Sequence, residues 1–308
     1  MDSIQAEPTV WRIQLKPGGR GHDTNVAAYC VRNNIIGTGW GIDEQVNGWD
    51  EYYRKYMIQN PAFAEGTFDH RRWRANTHRL IVEIRENDLV WFRDKSAPQY
   101  YIGRITGPWN SRNDPEAREN DIRLVRPVEI VSVDADVPGK VLAAFRASRT
   151  LQKVANETVR ELAKLIFNRQ SGHKKYTLTR STLDVFQLLD DRETEDLVAV
   201  YLQYERGYIF SPASRYQDNP TFEFFVVHRD SKIRAGVQVK TGNIRLKPTD
   251  YQGKECEVFL FSPAGYLGEQ VPGVECLDSN MLRQFLRDQG QLFSPALRYR
   301  IEALTKST

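Results

Sequence analysis

Three residues in the second half of the chain have the types and the spacing that phosphodiester chemistry uses. Gln238 and Lys240, in Val237-Gln238-Val239-Lys240-Thr241, lie two apart. On a β-strand such residues share one face while Val237 and Val239 take the other. Fourteen residues separate Glu223 from Gln238, enough for the rest of one strand and a turn at His228-Arg229-Asp230-Ser231-Lys232. The hairpin so formed brings a carboxylate beside an amide and an ammonium. Oxygen ligands of this kind hold a hard divalent cation, Mg²⁺ or Mn²⁺, and a lysine next to the metal positions an attacking water and helps to deprotonate it. Glu223 and Gln238 are the expected metal ligands and Lys240 the residue that orients the water. Glu195, at the start of the preceding predicted helix, is an outer carboxylate suited to the positive end of that helix. Without that convergence Glu223 is an edge-strand residue in solvent, and Gln238 and Lys240 line the outer face of a sheet.

A helix beginning Glu195-Asp196-Leu197-Val198-Ala199, an acidic residue on the next strand and Gln238-x-Lys240 on the one after it resemble the restriction-endonuclease-like PD-(D/E)xK superfamily. The resemblance is to its Mrr-like branch in particular, where glutamine often replaces the second acid, and it covers about 176–308. It implies a restriction-endonuclease-like α/β/α sandwich and a metal-dependent nuclease. The chain departs from the pattern at the first acidic strand position, where aspartate is usual: here stands Glu223, with Asp218 in the preceding loop as its competitor.

The first half places aromatic residues in unusual surroundings. Trp40 lies between glycines, Trp73 inside His70-Arg71-Arg72-Trp73-Arg74, Trp91 in a strand and Trp109 after Gly107-Pro108. Flat rings side by side make a slot for a flipped base, and nearby arginines hold phosphates. The run at 70–74 is the strongest local charge asymmetry; a bare charge run is a solvated loop, and the embedded Trp73 points instead to a nucleic-acid contact. Trp11 is assigned to the core. The rhythm of Trp11-Arg12-Ile13, Ile35-Ile36-Gly37-Thr38-Gly39-Trp40, Asp88-Leu89-Val90-Trp91-Phe92 and Tyr100-Tyr101-Ile102-Gly103-Arg104-Ile105 is similar to the EVE/YTH/PUA-like small barrels, over about 9–132. The resemblance implies a reader of modified bases whose pocket includes Trp40 and Trp91, with Trp109 as a further wall. Arg71, Arg72, Trp73 and Arg74 complete the expected substrate-binding set.

The elements that must position these residues follow from the hydrophobic pattern. Strands are expected at Trp11–Leu15, 35–41, 88–93, 100–105 and 128–131, interrupted by helices at Asn25–Asn33 and Trp49–Asn60. From Gly139 to Asn168 the apolar period is helical, which predicts a connector. Beyond it the order is a helix over Glu193–Tyr204, strands at 221–227, 236–240 and 257–261, and an amphipathic helix over Ser279–Gln289 with Ser279 as its cap.

Composition narrows the remaining classes. At 308 residues, 40% hydrophobic and 27% charged, the chain is long enough for two folded domains and contains no apolar run of membrane-spanning length. The acidic N-terminus does not read as a secretory signal, and three widely spaced cysteines give neither a disulfide framework nor a zinc pattern, so a reducing cytoplasm is expected. Lys16-Pro17-Gly18-Gly19-Arg20-Gly21-His22 lacks the GxxxxGK spacing, which argues against ATP or GTP and leaves a phosphate-touching loop. No GxSxG elbow and no paired histidine spacing is present.

The expectation is therefore an α+β two-domain protein. An EVE/PUA-like β-barrel with capping helices occupies 1–135, a helical connector 136–175, and an Mrr-like nuclease domain 176–308. Its function would be modification-dependent cleavage of foreign double-stranded DNA with Mg²⁺ or Mn²⁺, by a homodimer, since one nuclease site usually cuts one strand. The alternatives are a non-catalytic binder of modified nucleic acid with a decayed nuclease domain, and an RNase of a defence system.

Overall fold

Alternating apolar residues dominate the first half of the chain and a mixture of helical and alternating segments the second, and the computed structural model follows that division. It describes residues 7–15, 25–61, 63, 65–94, 96–97, 99–133, 137–146, 149–178, 184–216, 221–295, 297–298 and 301. The glycine-rich segment 16–22 and Asp218 lie outside the described residues. Two compact units result, one of residues 1–137 and 141–179, the other of 138–140 and 180–308. No described helix is long and apolar enough to cross a membrane.

The N-terminal unit runs β1 (Val10–Ile13), α1 (Val26–Asn33), β2 (Ile35–Thr38), α2 (Trp49–Gln59), α3 (Phe68–His78), β3 (Leu89–Arg93), β4 (Tyr100–Ile105), β5 (Asn110–Ser111), α4 (Pro115–Glu119), β6 (Leu124–Val133), α5 (Gly139–Arg146), β7 (Leu151–Lys153) and α6 (Glu157–Ser171). Its strands form one curled half-barrel sheet in the order β2-β6-β4-β3-β1-β7, with β5 on β6. Trp11, Ile13, Val90 and Phe92 belong to a core shared with α1, α2 and α3. The alternation that puts them there sends Arg12, Trp91 and Arg93 to the opposite face of the sheet.

One expectation for this unit needs correction. Residues 70–74 lie on α3: Thr67 caps the helix by accepting from His70 N at 3.2 Å, and burial of His70, Trp73, Asn76 and Thr77 holds it in place. The segment 136–175 is not a helical connector. From Leu151 the chain is a strand because β1 has an open edge: Gln14 N donates to Thr150 O at 2.7 Å, and Leu151–Lys153 pairs antiparallel with β1. With α6 packed on β1, β4 and β6, residues 141–175 belong to the first unit.

The C-terminal unit contains α7 (Asp191–Arg206), β8 (Tyr208–Phe210), β9 (Phe224–His228), β10 (Arg234–Val239), β11 (Glu257–Phe261), β12 (Val274–Cys276) and α8 (Ser279–Asp288). Its sheet has the order β12-β11-β10-β9-β8. The β8/β9 and β9/β10 pairs are antiparallel, the β10/β11 and β11/β12 pairs parallel. Leu197, Val198, Tyr201 and Leu202 of α7 and Leu282, Phe285 and Leu286 of α8 share one core with Val237, Val239, Phe259 and Phe261. The other sheet face packs Phe222, Val258, Leu260 and Val274 under Leu246, Tyr251 and Tyr266. Of the expected α/β/α sandwich, the structure shows a sheet with α7 and α8 on one face, where Leu297 and Ile301 join the same core; a short 3-10 turn at Pro248–Tyr251 and neighbouring loops lie on the other. The cap of α8 is Asp278, one residue before Ser279, and its carboxylate accepts from Asn280 N.

Candidate active site and base-binding residues

The β9–β10 hairpin does what the spacing asks of it. Lys232, at φ 61°, turns the chain, and His228 N donates to Ile233 O at 2.8 Å. Pairing continues past the end of β9, where Glu223 N donates to Val237 O at 2.9 Å. Gly236 is obligatory here, since a Cβ would meet the Phe222 ring at 2.8 Å. The absence of a side chain at Gly236 leaves room for the Phe222 ring, next in sequence to Glu223. Lys240 N in turn donates to Phe261 O at 2.9 Å, which extends β10 against β11 by one residue.

The three side chains converge on one atom. Glu223 Oε1 accepts from Gln238 Nε2 at 2.9 Å and from Lys240 Nζ at 2.9 Å. Gln238 is 4% exposed, whereas the Lys240 and Glu223 side chains keep 39% and 32% of their surface. The pair is thus rooted in the sheet and open to solvent at its tip.

Glu195 comes from α7, whose first turn is fixed by a reciprocal capping box between Asp190 and Glu193. Partial burial and, after it, the nearby charge of Glu223 push the Glu195 carboxyl above the usual carboxylate range, and Arg215 opposes them. Four residues earlier on the same helix, Asp191 accepts from Thr241 Oγ1, the residue next to Lys240. Glu195, Glu223, Gln238 and Lys240 therefore form one constellation.

Arg215 was not singled out by the sequence. It lies 3.8 Å from Glu195 Oε2, donates to Asp196 Oδ1 at 2.7 Å, and rests over Phe210 with its guanidinium 4.9 Å from the ring centroid. Its only sequence signal is a basic residue among Pro and Ser after a strand, and such residues are common.

No group of three or more His, Cys, Asp or Glu side chains among the described residues is arranged to hold a metal ion. The donors nevertheless suit one hard cation. Two carboxylates, one with its proton affinity raised by burial and by the other's charge, favour a cation between them, and Gln238 adds an amide. Gln238 turns its nitrogen towards Glu223, so ligation through its oxygen requires a half-turn of the terminal amide.

The N-terminal unit separates the expected base-binding residues. Trp91 and Trp73 are both 0% exposed, and this corrects their assignment as contacts of a substrate. Trp91 lies on the sheet face opposite Val90 and Phe92, so it cannot line a pocket with Trp40, which packs against the Val90 and Phe92 core. Trp73 is the centre of an aromatic cluster, stacked 4.4 Å from Tyr56 and edge-on to Phe63 at 5.7 Å.

Trp40 and Trp109 are half-buried and linked by Tyr52 of α2. Tyr52 donates its hydroxyl to Trp40 O at 2.5 Å, and its ring meets Trp109 edge-on at 5.9 Å. The glycines about Trp40 serve packing: a Cβ on Gly37, Gly39 or Gly41 would meet Leu124 O, Asp121 Oδ1 or Arg123 Cβ at 2.4, 2.0 and 2.5 Å. Arg71, Arg72 and Arg74 are exposed on α3, with Arg74 5.9 Å from the Tyr53 ring centroid.

Comparison with known proteins gives no match to a family model, a curated protein or a solved structure.

Proposed function

We propose that this protein is a modification-dependent DNA endonuclease, its C-terminal unit a metal-dependent phosphodiesterase and its N-terminal unit the reader of an altered base. One observation carries the reading: a carboxylate, a buried amide and a solvent-reaching ammonium from two paired strands meet at Glu223 Oε1, with Glu195 near enough to feel its charge. Its likeness to the PD-(D/E)xK pattern, with glutamine at the second acidic position, supports the choice of substrate.

In this reading Glu223 and the Gln238 amide oxygen hold Mg²⁺ or Mn²⁺, with Glu195 outside them. The cation supplies charge neutralisation at the scissile phosphate when bound. Lys240 keeps one N–H on Glu223 and has two more to hold a water in line with phosphorus. The water oxygen bonds to phosphorus as the bond to the leaving sugar oxygen breaks, and that oxygen takes a proton from solvent. Glu195, its affinity for a proton already raised, is the residue that can take one from the water. Trp40 and Trp109 are the half-exposed rings on which a flipped base would stack, and Arg71, Arg72 and Arg74 would meet phosphates. A homodimer on double-stranded DNA would place one site on each strand.

The test is cleavage of plasmid DNA, with and without modified cytosine or adenine, in Mg²⁺, in Mn²⁺ and in chelator. Modification-dependent cutting that chelator abolishes is the expected result. A second reading draws on the Lys240–Glu223 ion pair, which balances the carboxylate without a cation. It makes the protein a non-catalytic binder of modified nucleic acid, and it predicts binding unaffected by chelator and no cutting at all.

A further inference from the structure

The face of the N-terminal sheet opposite its main core gathers positive charge that base reading on α2 and α3 does not use. Arg12 of β1 is 0% exposed, and its guanidinium finds neutral acceptors: Nη1 donates to Arg149 O, and Nη2 to Gln152 Oε1 at 2.8 Å. Its buried Nε has no acceptor among the described residues. The Phe145 ring lies between Arg12 and Arg93, with guanidinium carbons 5.5 and 5.4 Å from its centroid, and Tyr100 meets the ring edge-on at 5.7 Å.

The sheet register explains the gathering. Arg12 pairs with Trp91 in the parallel β1/β3 ladder and with Gln152 in the β1/β7 ladder, so Arg12, Gln152 and, two residues beyond Trp91, Arg93 share one face. Trp91 Nε1 is a second buried donor on this face with no acceptor among the described residues. Desolvation first, and then the charges of Arg149 and Arg93, lower the pKa of Arg12 to about 10. No carboxylate forms an ion pair with Arg12, Arg93 or Arg149 among the described residues. Asp94, next in sequence to Arg93, is engaged by Asn25 and Ser96 instead.

A buried guanidinium with two like charges beside it and no anion is a costly arrangement unless an anion completes it. Arg93 is half-buried and Arg149 exposed, so the cluster opens to solvent on their side. Guanidinium groups match the oxygens of a phosphate in geometry as well as charge. We propose that Arg93 and Arg149, backed by Arg12 and held by Phe145, form a phosphate-binding site on the N-terminal unit, separate from α3. It does not depend on the C-terminal site.

A nucleic-acid backbone and a free phosphate are the two sources of that group, and one set of variants separates them. The full chain, wild type against Arg93→Gln/Arg149→Gln, is titrated with an unmodified DNA duplex at salt from about 50 to 200 mM, the range over which phosphate contacts weaken binding strongly. In parallel, thermal midpoints are measured with and without inorganic phosphate. Each DNA phosphate that the protein ceases to neutralise lowers the slope of log K against log salt by about 0.9, so the double variant is expected to lose about 1–2 of slope. Its ligand-free midpoint should hold or rise, because repulsion around Arg12 is relieved. Arg93→Lys/Arg149→Lys should keep most of the slope. Phosphate that raises the midpoint of wild type only, with equal duplex slopes, supports the site and identifies a free ligand. Equal slopes together with equal phosphate response, or no response of wild type to either ligand, would overturn the proposal.

Discussion

Lys240 Nζ lies 2.9 Å from Glu223 Oε1, and both side chains are about a third exposed. An ion pair so placed contributes about 1 kcal/mol or less to stability. Its value to the protein is therefore in what the ammonium can hold. Lys240→Ala should reduce DNA cleavage by about 100-fold or more while stability in urea changes by less than about 1 kcal/mol. A variant that cuts as well as wild type would remove Lys240 from the mechanism.

Gln238 donates to the same oxygen from a nearly fully buried position. Gln238→Glu replaces that donor with a second carboxylate against Glu223, which should cost about 1–3 kcal/mol without metal. Mn²⁺ should restore much of it, since a ligand at 100 times its Kd stabilises by about 2.7 kcal/mol. The check is differential scanning calorimetry with and without Mn²⁺. A midpoint that ignores the ion in both proteins counts against metal binding here.

Glu195 makes a prediction with a definite sign. Burial and the Glu223 charge raise its carboxyl pKa, so the folded state binds this proton more tightly than the unfolded one. The favourable contribution is complete below the ordinary carboxylate pKa and disappears as pH rises through the raised value. Glu195→Gln should consequently be more stable than wild type near neutrality, by roughly 2–4 °C if about 1 kcal/mol is regained. The gap should close as pH falls below about 4. Arg215 keeps Asp196 as its partner in the variant. Thermal melts over this pH range decide the matter, and a variant less stable at neutrality contradicts the assignment of cause.

The tryptophans should divide by burial. Trp91→Ala and Trp73→Ala remove fully buried rings and are expected to cost about 3–5 kcal/mol each in denaturant titrations. Trp40→Phe and Trp109→Phe should cost much less and weaken binding to a modified duplex. Unchanged affinity in the Trp40 and Trp109 variants would leave the base-binding reading without its aromatic support.

Cysteine reactivity provides a check on the core. Burial pushes the Cys30 thiol up to about 12, while Cys256 and Cys276 are partly exposed. A thiol-specific reagent at pH 8 should leave Cys30 unmodified until the protein is unfolded. Rapid modification of Cys30 in the native state would contradict its burial on the inner side of α1.

How much was legible beforehand differs between the two units. In the second, alternation around Gln238 and Lys240 and the length of the hairpin sufficed to place Glu223 beside them, because both are local consequences of a period of two. Arg215 stayed hidden because its approach to Glu195 joins a short 3-10 turn to a helix some twenty residues earlier, and no periodicity records such a contact. In the first unit the rings were visible but their roles were not. The run at 70–74 read as a nucleic-acid contact through Trp73, whereas Trp73 is buried with His70, Asn76 and Thr77 on the inner side of α3.

The amino-acid sequence alone determined the α+β class, most of the strands and the polar face of the β9–β10 hairpin, since hydrophobic alternation and turn residues act over a few positions. Only the tertiary structure decided which face of the first sheet each aromatic takes, that 151–153 pairs with β1 and does not join a long helix, and that α7 and α8 share one side. These outcomes depend on which sheet edges and faces remain open once the chain has collapsed. That is settled by contacts between residues tens to more than a hundred positions apart, and a local pattern does not contain it.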